Sequence, residues 1–128
     1  MLAVQIVNYK TKAYVERCVA SAVADLEPVG LDYEINLLDN ASGDDLTALG
    51  ERYGRCQVHV AERNLGFGAG QNLLASKTDA EYLLILNPDV EFITPNTTAV
   101  AVATPPSTAG QRAGARRASA TAAPKAAR

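Results

Sequence analysis

A single histidine and two cysteines are all the imidazole and thiol groups in this 128-residue chain, and each scarcity removes a class of chemistry. Cys18 and Cys56 lack CxxC or Cys/His ligand spacing, so reduced, buried thiols are expected. His59 falls inside a strand pattern, away from the strand ends, and reads as a solvent-facing residue without a catalytic part. Ser42 and Ser76 have no histidine near them and no nucleophile-elbow pattern, which leaves serine hydrolase chemistry unsupported. No Gly-Lys-Ser/Thr sequence occurs, so there is no P-loop, and no glycine follows the first strand, where a dinucleotide fingerprint belongs. No apolar run approaches the roughly 20 residues that cross a bilayer, and the apolar start, residues 1–7, has no basic leader.

Acids are also absent from the last stretch of the chain. Up to Ile93 there are 7 Lys/Arg and 14 Asp/Glu, net −7, and from Thr94 onward 5 Lys/Arg and no acid, net +5, which together give the −2 of the whole. The first part has the regular apolar runs of one globular domain, whereas residues 94–128 are mainly Ala, Thr, Pro, Ser, Gly and Arg with no aromatic residue. Such a composition buries too little surface to offset the entropy of ordering it, so a disordered, low-complexity basic tail is expected. Its Ala, Arg, Pro and Gly residues are ones whose codons are rich in G and C, so a shifted reading frame over GC-rich DNA is the expected origin, with a domain linker as the alternative. Five charges without interleaved aromatics make a weak nucleic-acid footprint, and nucleic acid is not an expected partner.

The rest divides into alternating strand and helix patterns. LAVQIV, residues 2–7, reads as a strand; Thr11 then offers a helix cap, and Tyr14, Val15, Cys18, Val19, Ala22 and Val23 recur at three- and four-residue steps. YEINLL, residues 33–38, is a second strand, followed by a helix carrying Leu46, Leu49 and Tyr53, capped by Ser42 or Asp44 and closing at Gly54. Residues 57–60 form a short third strand, a helix runs from about Gly70 to Lys77, and the apolar run from Tyr82 to Leu86 reads as a strand buried on both faces. The order β-α-β-α-β-α-β predicts an α/β fold: four parallel strands with helices on both faces.

Three of the four strands end in polar clusters: Asn8-Tyr9, Asp39-Asn40 and Asn87-Pro88-Asp89. In a parallel sheet these ends share one edge, the edge at which ligands bind in open α/β folds. A carboxylate there can hold a divalent cation against a phosphorylated ligand, since hard cations take oxygen ligands; taken singly, each cluster is equally an ordinary turn. The segment at residues 64–72, NLGFGAGQN, has three glycines at alternate positions before a helix. Its backbone can approach a ligand closely and aim amides at an anion, or it is simply a glycine-rich helix entry.

Four segments, IVNYK at 6–10, LLDNASGDD at 37–45, NLGFGAGQN at 64–72 and LLILNPDVEF at 83–92, together resemble the N-terminal, nucleotide-sugar-binding half of glycosyltransferase family 2, GT-A fold, and most closely its rhamnosyltransferase-like bacterial members. The likeness runs from the first strand to about Phe92. It implies a Rossmann-like GT-A nucleotide-diphospho-sugar-binding domain over residues 1–93, incomplete because the acceptor half is missing, which leaves the last strand with an open edge. By the same resemblance Val7, Asn8 and Tyr9 border the nucleobase, and Asp39 receives the base N3–H of uridine or thymidine. Asn64, Gly66, Phe67, Gly68 and Asn72 line the donor pocket, and Asn87 and Asp89 sit at the diphosphate. Asp89 is then the one strong ligand for Mg²⁺ or Mn²⁺, because Asn87 stands where many relatives carry an acid.

The implied reaction is inverting transfer from a UDP- or dTDP-sugar to a hydroxyl of a glycan or lipid-linked acceptor, for cell-wall or surface polysaccharide, in the cytoplasm or at the inner face of the membrane. The family's catalytic base lies in an acidic motif far downstream, so this chain alone is expected to be inactive. A non-catalytic nucleotide-binding remnant would use the same residues.

Overall fold

The computed structural model describes residues 1–97 and the backbone of residues 121–124. Four parallel strands form its centre: β1 (Leu2–Asn8), β2 (Tyr33–Asp39), β3 (Cys56–Val60) and β4 (Tyr82–Leu86). Helix α1 (Lys12–Leu26) links β1 to β2, α2 (Thr47–Arg52) links β2 to β3, and α3 (Phe67–Ser76) links β3 to β4. A fifth strand, β5 (Thr121–Pro124), pairs antiparallel with β4, giving the order β3-β2-β1-β4-β5. The α/β class and the parallel core agree with the alternating pattern of the sequence. The expected open edge at the fourth strand does not occur, because β5 occupies it. Apart from residues 94–97 and β5, the stretch expected to be a disordered tail lies outside the described residues.

β1 is the strand buried on both faces, with every one of its residues buried. It is central in the order, and helices cover both its sides, so even its polar residues, Gln5 and Asn8, are buried and bond to other side chains. On one face Leu2, Val4 and Ile6 join Ile35, Leu37, Leu84 and Leu86 of the neighbouring strands beneath Val15, Cys18, Val19, Ala22 and Leu26 of α1 and Leu49 of α2. On the other face Val7 and Leu38 pack with Leu74 of α3 in a smaller cluster. β4 had the sequence signature of a doubly buried strand, yet only Leu84 and Leu86 are buried, and Tyr82, Leu83 and Ile85 are half-buried. For Leu83 and Ile85, on the face away from α1, the physical reason is the position of α3, which packs over β1 and β2.

Several local expectations shift by a few residues. α1 runs to Leu26, where Pro28 in a following 3₁₀ turn and the left-handed Gly30 end it. Tyr14, expected in its apolar stripe, is exposed at 51 %, with the Arg17 guanidinium 5.2 Å from its ring centre. α2 begins at Thr47, whose amide donates to Asp45 Oδ1 at 3.0 Å, while Ser42 and Asp44 are engaged elsewhere, and it ends at Arg52, before Gly54. α3 starts at Phe67, three residues earlier than its apolar pattern indicates. No helix among the described residues is long and apolar enough to cross a membrane.

His59 is half-buried, where the sequence suggested a solvent-facing ring, and its Nε2 has no hydrogen-bond partner among the described residues. Desolvation, aided by the nearby Lys77, holds its pKa below the ordinary 6.5, against a weaker opposing pull from Glu34. Protonation therefore favours the unfolded chain: stability is at its full value above about pH 6.5 and falls as the pH drops below it. His59→Gln should flatten that part of the stability curve, as urea denaturation at pH 7.5, 6 and 5 would show; an unchanged slope would count against it.

Cys18 and Cys56 are free and buried, as their setting in the sequence indicated. Burial pushes the Cys18 thiol up to about 12, with Asp89 and Glu91 adding to it, and the Cys56 thiol up to about 11. The nucleophile is the thiolate, so native protein at pH 8 should take up no iodoacetamide within an hour, and mass spectrometry should find both cysteines labelled once urea unfolds it.

Candidate functional site

At the carboxyl end of β1 the Asn8 side chain is fully buried. Its Nδ2 donates to Asp39 Oδ1 at 2.9 Å and to Asp44 Oδ2 at 3.1 Å, while its Oδ1 accepts from Thr11 Oγ1 at 2.6 Å and from the Thr11 amide at 3.2 Å. Thr11 occupies the cap position of α1, but its hydroxyl turns to Asn8 rather than to the helix amides. Between them Lys10 takes φ 57°, a left-handed conformation that is costly for a residue with a Cβ and is held by the bonds on either side. Tyr9 projects from this turn with 44 % of its surface exposed and the Lys10 ammonium 5.2 Å from its ring centre.

The neighbouring strand ends in Asp39, which is 2 % exposed. Besides the Asn8 bond, its carboxylate accepts from Ser42 Oγ at 2.5 Å and from the Ser42 amide at 3.1 Å. A carboxylate has about four lone-pair directions, so one remains for a further donor. Ala41, at φ 62°, provides the reversal that brings Ser42 back onto Asp39, and Ser42 Oγ in turn accepts from the Asp44 amide at 3.2 Å.

The glycine segment lies beside this turn and is tied to the residue after Asp39. Asn40 donates through Nδ2 to Asn64 Oδ1 and to the Gly66 carbonyl, and its Oδ1 accepts from the Leu65 amide. Gly66 precedes α3 at φ 81° and ψ 169°, a region open essentially to glycine alone. One turn into α3, a Cβ on Gly70 would stand 3.1 Å from Val7 Cγ2 and 3.2 Å from Leu38 Cδ2, so this glycine lets the helix lie close on β1 and β2. Val7 thus works as packing beneath α3, at 6 % exposure. Asn64, Gly66, Phe67, Gly68 and Asn72 are all exposed, Phe67 at 51 %.

On the other side of β1, β4 ends in Asn87-Pro88-Asp89, with Asn87 half-buried and Asp89 exposed. Side chains of α1 at three- and four-residue steps hold the segment that follows. Cys18 Sγ lies 3.8 Å from the Asn87 carbonyl, Ser21 Oγ accepts from the Phe92 amide at 3.1 Å, and Asp25 Oδ1 accepts from the Thr97 amide at 3.0 Å. β2 and β4 flank β1, so two strand spacings, roughly 10 Å, separate the ends that carry Asp39 and Asp89.

The strand-end residues expected from sequence are therefore brought to one edge. Asn8 and Asp39 touch directly, and Asn64 and Gly66 join them through Asn40. Sequence reasoning did not assign Thr11, Asn40, Ser42, Asp44 or the α1 stripe. Asn40 had a signal, since a second polar residue follows Asp39 just where the strand leaves the core. Ser42 three residues after Asp39 is a turn signature that also fits a helix cap. The α1 stripe had none, because a cysteine, a serine and an aspartate do not declare their partners.

For a divalent cation the fit is partial. Asp89 offers an exposed, hard carboxylate, but no group of three or more His, Cys, Asp or Glu residues able to hold a metal occurs among the described residues. The donor set suits a cation shared with the phosphate oxygens of a ligand, not one caged by protein alone.

The chain resembles the crystal structure of S. aureus TarS 1-349 with a TM-score of 0.65 at 19 % identity, over 80 % of this chain and 31 % of that one. For the same protein in complex with UDP the figures are 0.64, 18 %, 79 % and 31 %. The mannosyltransferase PcManGT from Pyrobaculum calidifontis, solved with GDP-Man and Mn²⁺, gives a TM-score of 0.69 at 18 % identity, over 79 % of this chain and 31 % of that one. At such identities the likeness is one of fold, and it places the α/β sheet described above among GT-A domains. The chain spans under a third of the length of these proteins. No curated protein matches it. The family model for glycosyl transferase family 2 matches residues 3–100, past the Phe92 at which the sequence resemblance was expected to stop and past the docked Thr97, and the chain belongs to that family.

Proposed function

We propose that the edge formed by β2, β1 and β4 binds a nucleotide-diphospho-sugar donor, and that the protein transfers its sugar, with inversion, to a hydroxyl of a glycan or lipid-linked acceptor. The observation that carries this reading is the pair of carboxylates on either side of the β1 end. Asp39 is buried and oriented by three hydrogen bonds, with room for one more donor, whereas Asp89 is exposed beyond β4. The first suits a nucleobase N–H and the second a cation at a diphosphate. UDP and GDP-Man with Mn²⁺, bound by the two solved relatives, belong to the same class of ligand.

In this reading Asp39 accepts the imide N3–H of uridine or thymidine, and Asn8 keeps its carboxylate from rotating away. Val7 supports the base side from beneath, and Tyr9 supplies an exposed ring at the rim. The glycine segment, with Asn64, Gly66, Phe67, Gly68 and Asn72, lines the pocket for the remainder of the donor. Asn87 shapes the turn that presents Asp89. Mg²⁺ or Mn²⁺ held by Asp89 would neutralise charge gathering on the departing diphosphate. The chain's own residues bind and orient the donor; no Asp or Glu follows Glu91, so the carboxylate that takes the acceptor's proton, expected from the family's downstream acidic motif, is not among these 128 residues. A rhamnosyl-type donor and an acceptor destined for surface polysaccharide, met at the inner face of the membrane, complete the proposal.

Calorimetry with UDP and dTDP, with and without Mn²⁺, tests the division of labour. Asp39→Ala should weaken binding tenfold or more whether metal is present or not, the scale of one charge-assisted hydrogen bond, about 1.5–3 kcal/mol. Asp89→Ala should remove mainly the metal-dependent increment. Equal metal dependence in the two variants would overturn the assignment, and sugar transfer by the purified chain would separate an enzyme from a nucleotide-binding remnant.

A further inference from the structure

Asp39 and Asn40 are consecutive and both buried, at 2 % and 3 % exposure, yet their side chains serve different parts of the edge. Asp39 faces Asn8 and Ser42. Asn40 faces the glycine segment, and three of its hydrogen-bonding positions are filled there: Nδ2 to Asn64 Oδ1 at 3.0 Å, Nδ2 to the Gly66 carbonyl at 3.2 Å, and Oδ1 from the Leu65 amide at 2.8 Å. Asn64 Oδ1 closes the ring by accepting from the Gly66 amide at 2.8 Å. The Gly66 carbonyl also accepts from the Gly70 amide at 3.1 Å, so Asn40 grips the peptide from which α3 starts.

This grip matters because little else holds that segment. Residues 62–64 and 66–69 are exposed, and Gly66, which as a glycine has many conformations open to it, is held to one of them by these bonds. The backbone bonds that anchor Asn40 itself are those of the sheet edge: its amide donates to the Asn8 carbonyl at 2.8 Å, and the Ala61 amide donates to the Asp39 carbonyl at 2.9 Å. A rigid strand end is thereby extended, through one side chain, to a segment that has no sheet partner.

We infer that Asn40 is a positioning residue that fixes the glycine segment at a set distance from Asp39, so that the nucleobase end and the phosphate-sugar end of one donor are met together. The inference rests on the donor-binding reading of this edge. A side chain serving only as internal glue would affect every ligand alike. A positioning residue affects ligands long enough to reach the second end.

The full chain and its Asn40→Ala variant are titrated with uridine and with UDP by NMR. Asn40→Ala should lose UDP affinity about tenfold, the effect of one or two net hydrogen bonds, and keep uridine affinity within about twofold. Equal loss of both ligands, or loss of neither, would overturn the inference. Hydrogen exchange without ligand judges it even if neither nucleotide binds the native chain, an outcome that would instead sink the donor-binding reading. The Leu65 and Gly66 amides should exchange slowly in the native chain and at least about tenfold faster in the variant, with β1 and β2 amides unchanged. Fast exchange in the native chain, or equal protection in both, would refute it. Should Asn40→Ala fail to fold, Asn40→Asp keeps the acceptor for Leu65, deletes both donors at the same volume, and should reproduce the split.

Discussion

One buried amide sets the geometry of the whole edge. Asn8 has two donor hydrogens and two acceptor directions, and the structure uses all four: two carboxylates on one side, the hydroxyl and amide of Thr11 on the other. Leaving such a group unpaired in an apolar interior costs about 2–7 kcal/mol, so the loops after β1 and β2 are held to arrangements that satisfy it. The left-handed turn at Lys10 and the reversal at Ala41 follow from that demand. Asp39 can be nearly inaccessible and still aimed, because its orientation comes from Asn8 and Ser42 and not from solvent.

The fold was legible because it depends on patterns repeated over many residues. Period and run length marked three helices and four parallel strands, and the strand ends marked the edge. The failures came where one element's environment depends on another's position. The run in β4 reads as doubly buried, since nothing in it reveals that α3 leans toward β2. His59 reads as exposed because a short edge strand gives no hint of what lies over its inner face. β5 could not be anticipated, since Thr-Ala-Ala-Pro carries no strand pattern and its pairing is supplied by the neighbouring strand.

Within the site, identity was easier to read than connection. Asp39, Asn64 and Gly66 stand out as polar or glycine residues at strand and helix boundaries, but that Asn40 ties them together is a fact of three dimensions. Ser42 and Asp44 resembled helix caps and were drawn into the hydrogen-bond network of Asn8 instead. The capping rule failed there because a buried carboxylate and a buried amide compete for the same short polar side chains, and burial makes their claim the stronger.

α1 begins at the Thr11 that Asn8 holds, and further along the same helix Cys18, Ser21 and Asp25 take hold of the chain after β4. A single rod therefore braces both sides of the edge, gripping one at its tip and the other along its flank. The two sides cannot drift apart by bending of loops alone. Moving them apart requires the rod to tilt as a unit or to let go at one of its three rungs, so a substitution on the buried side of this helix, remote from any ligand, would be transmitted to the edge as a change of gauge.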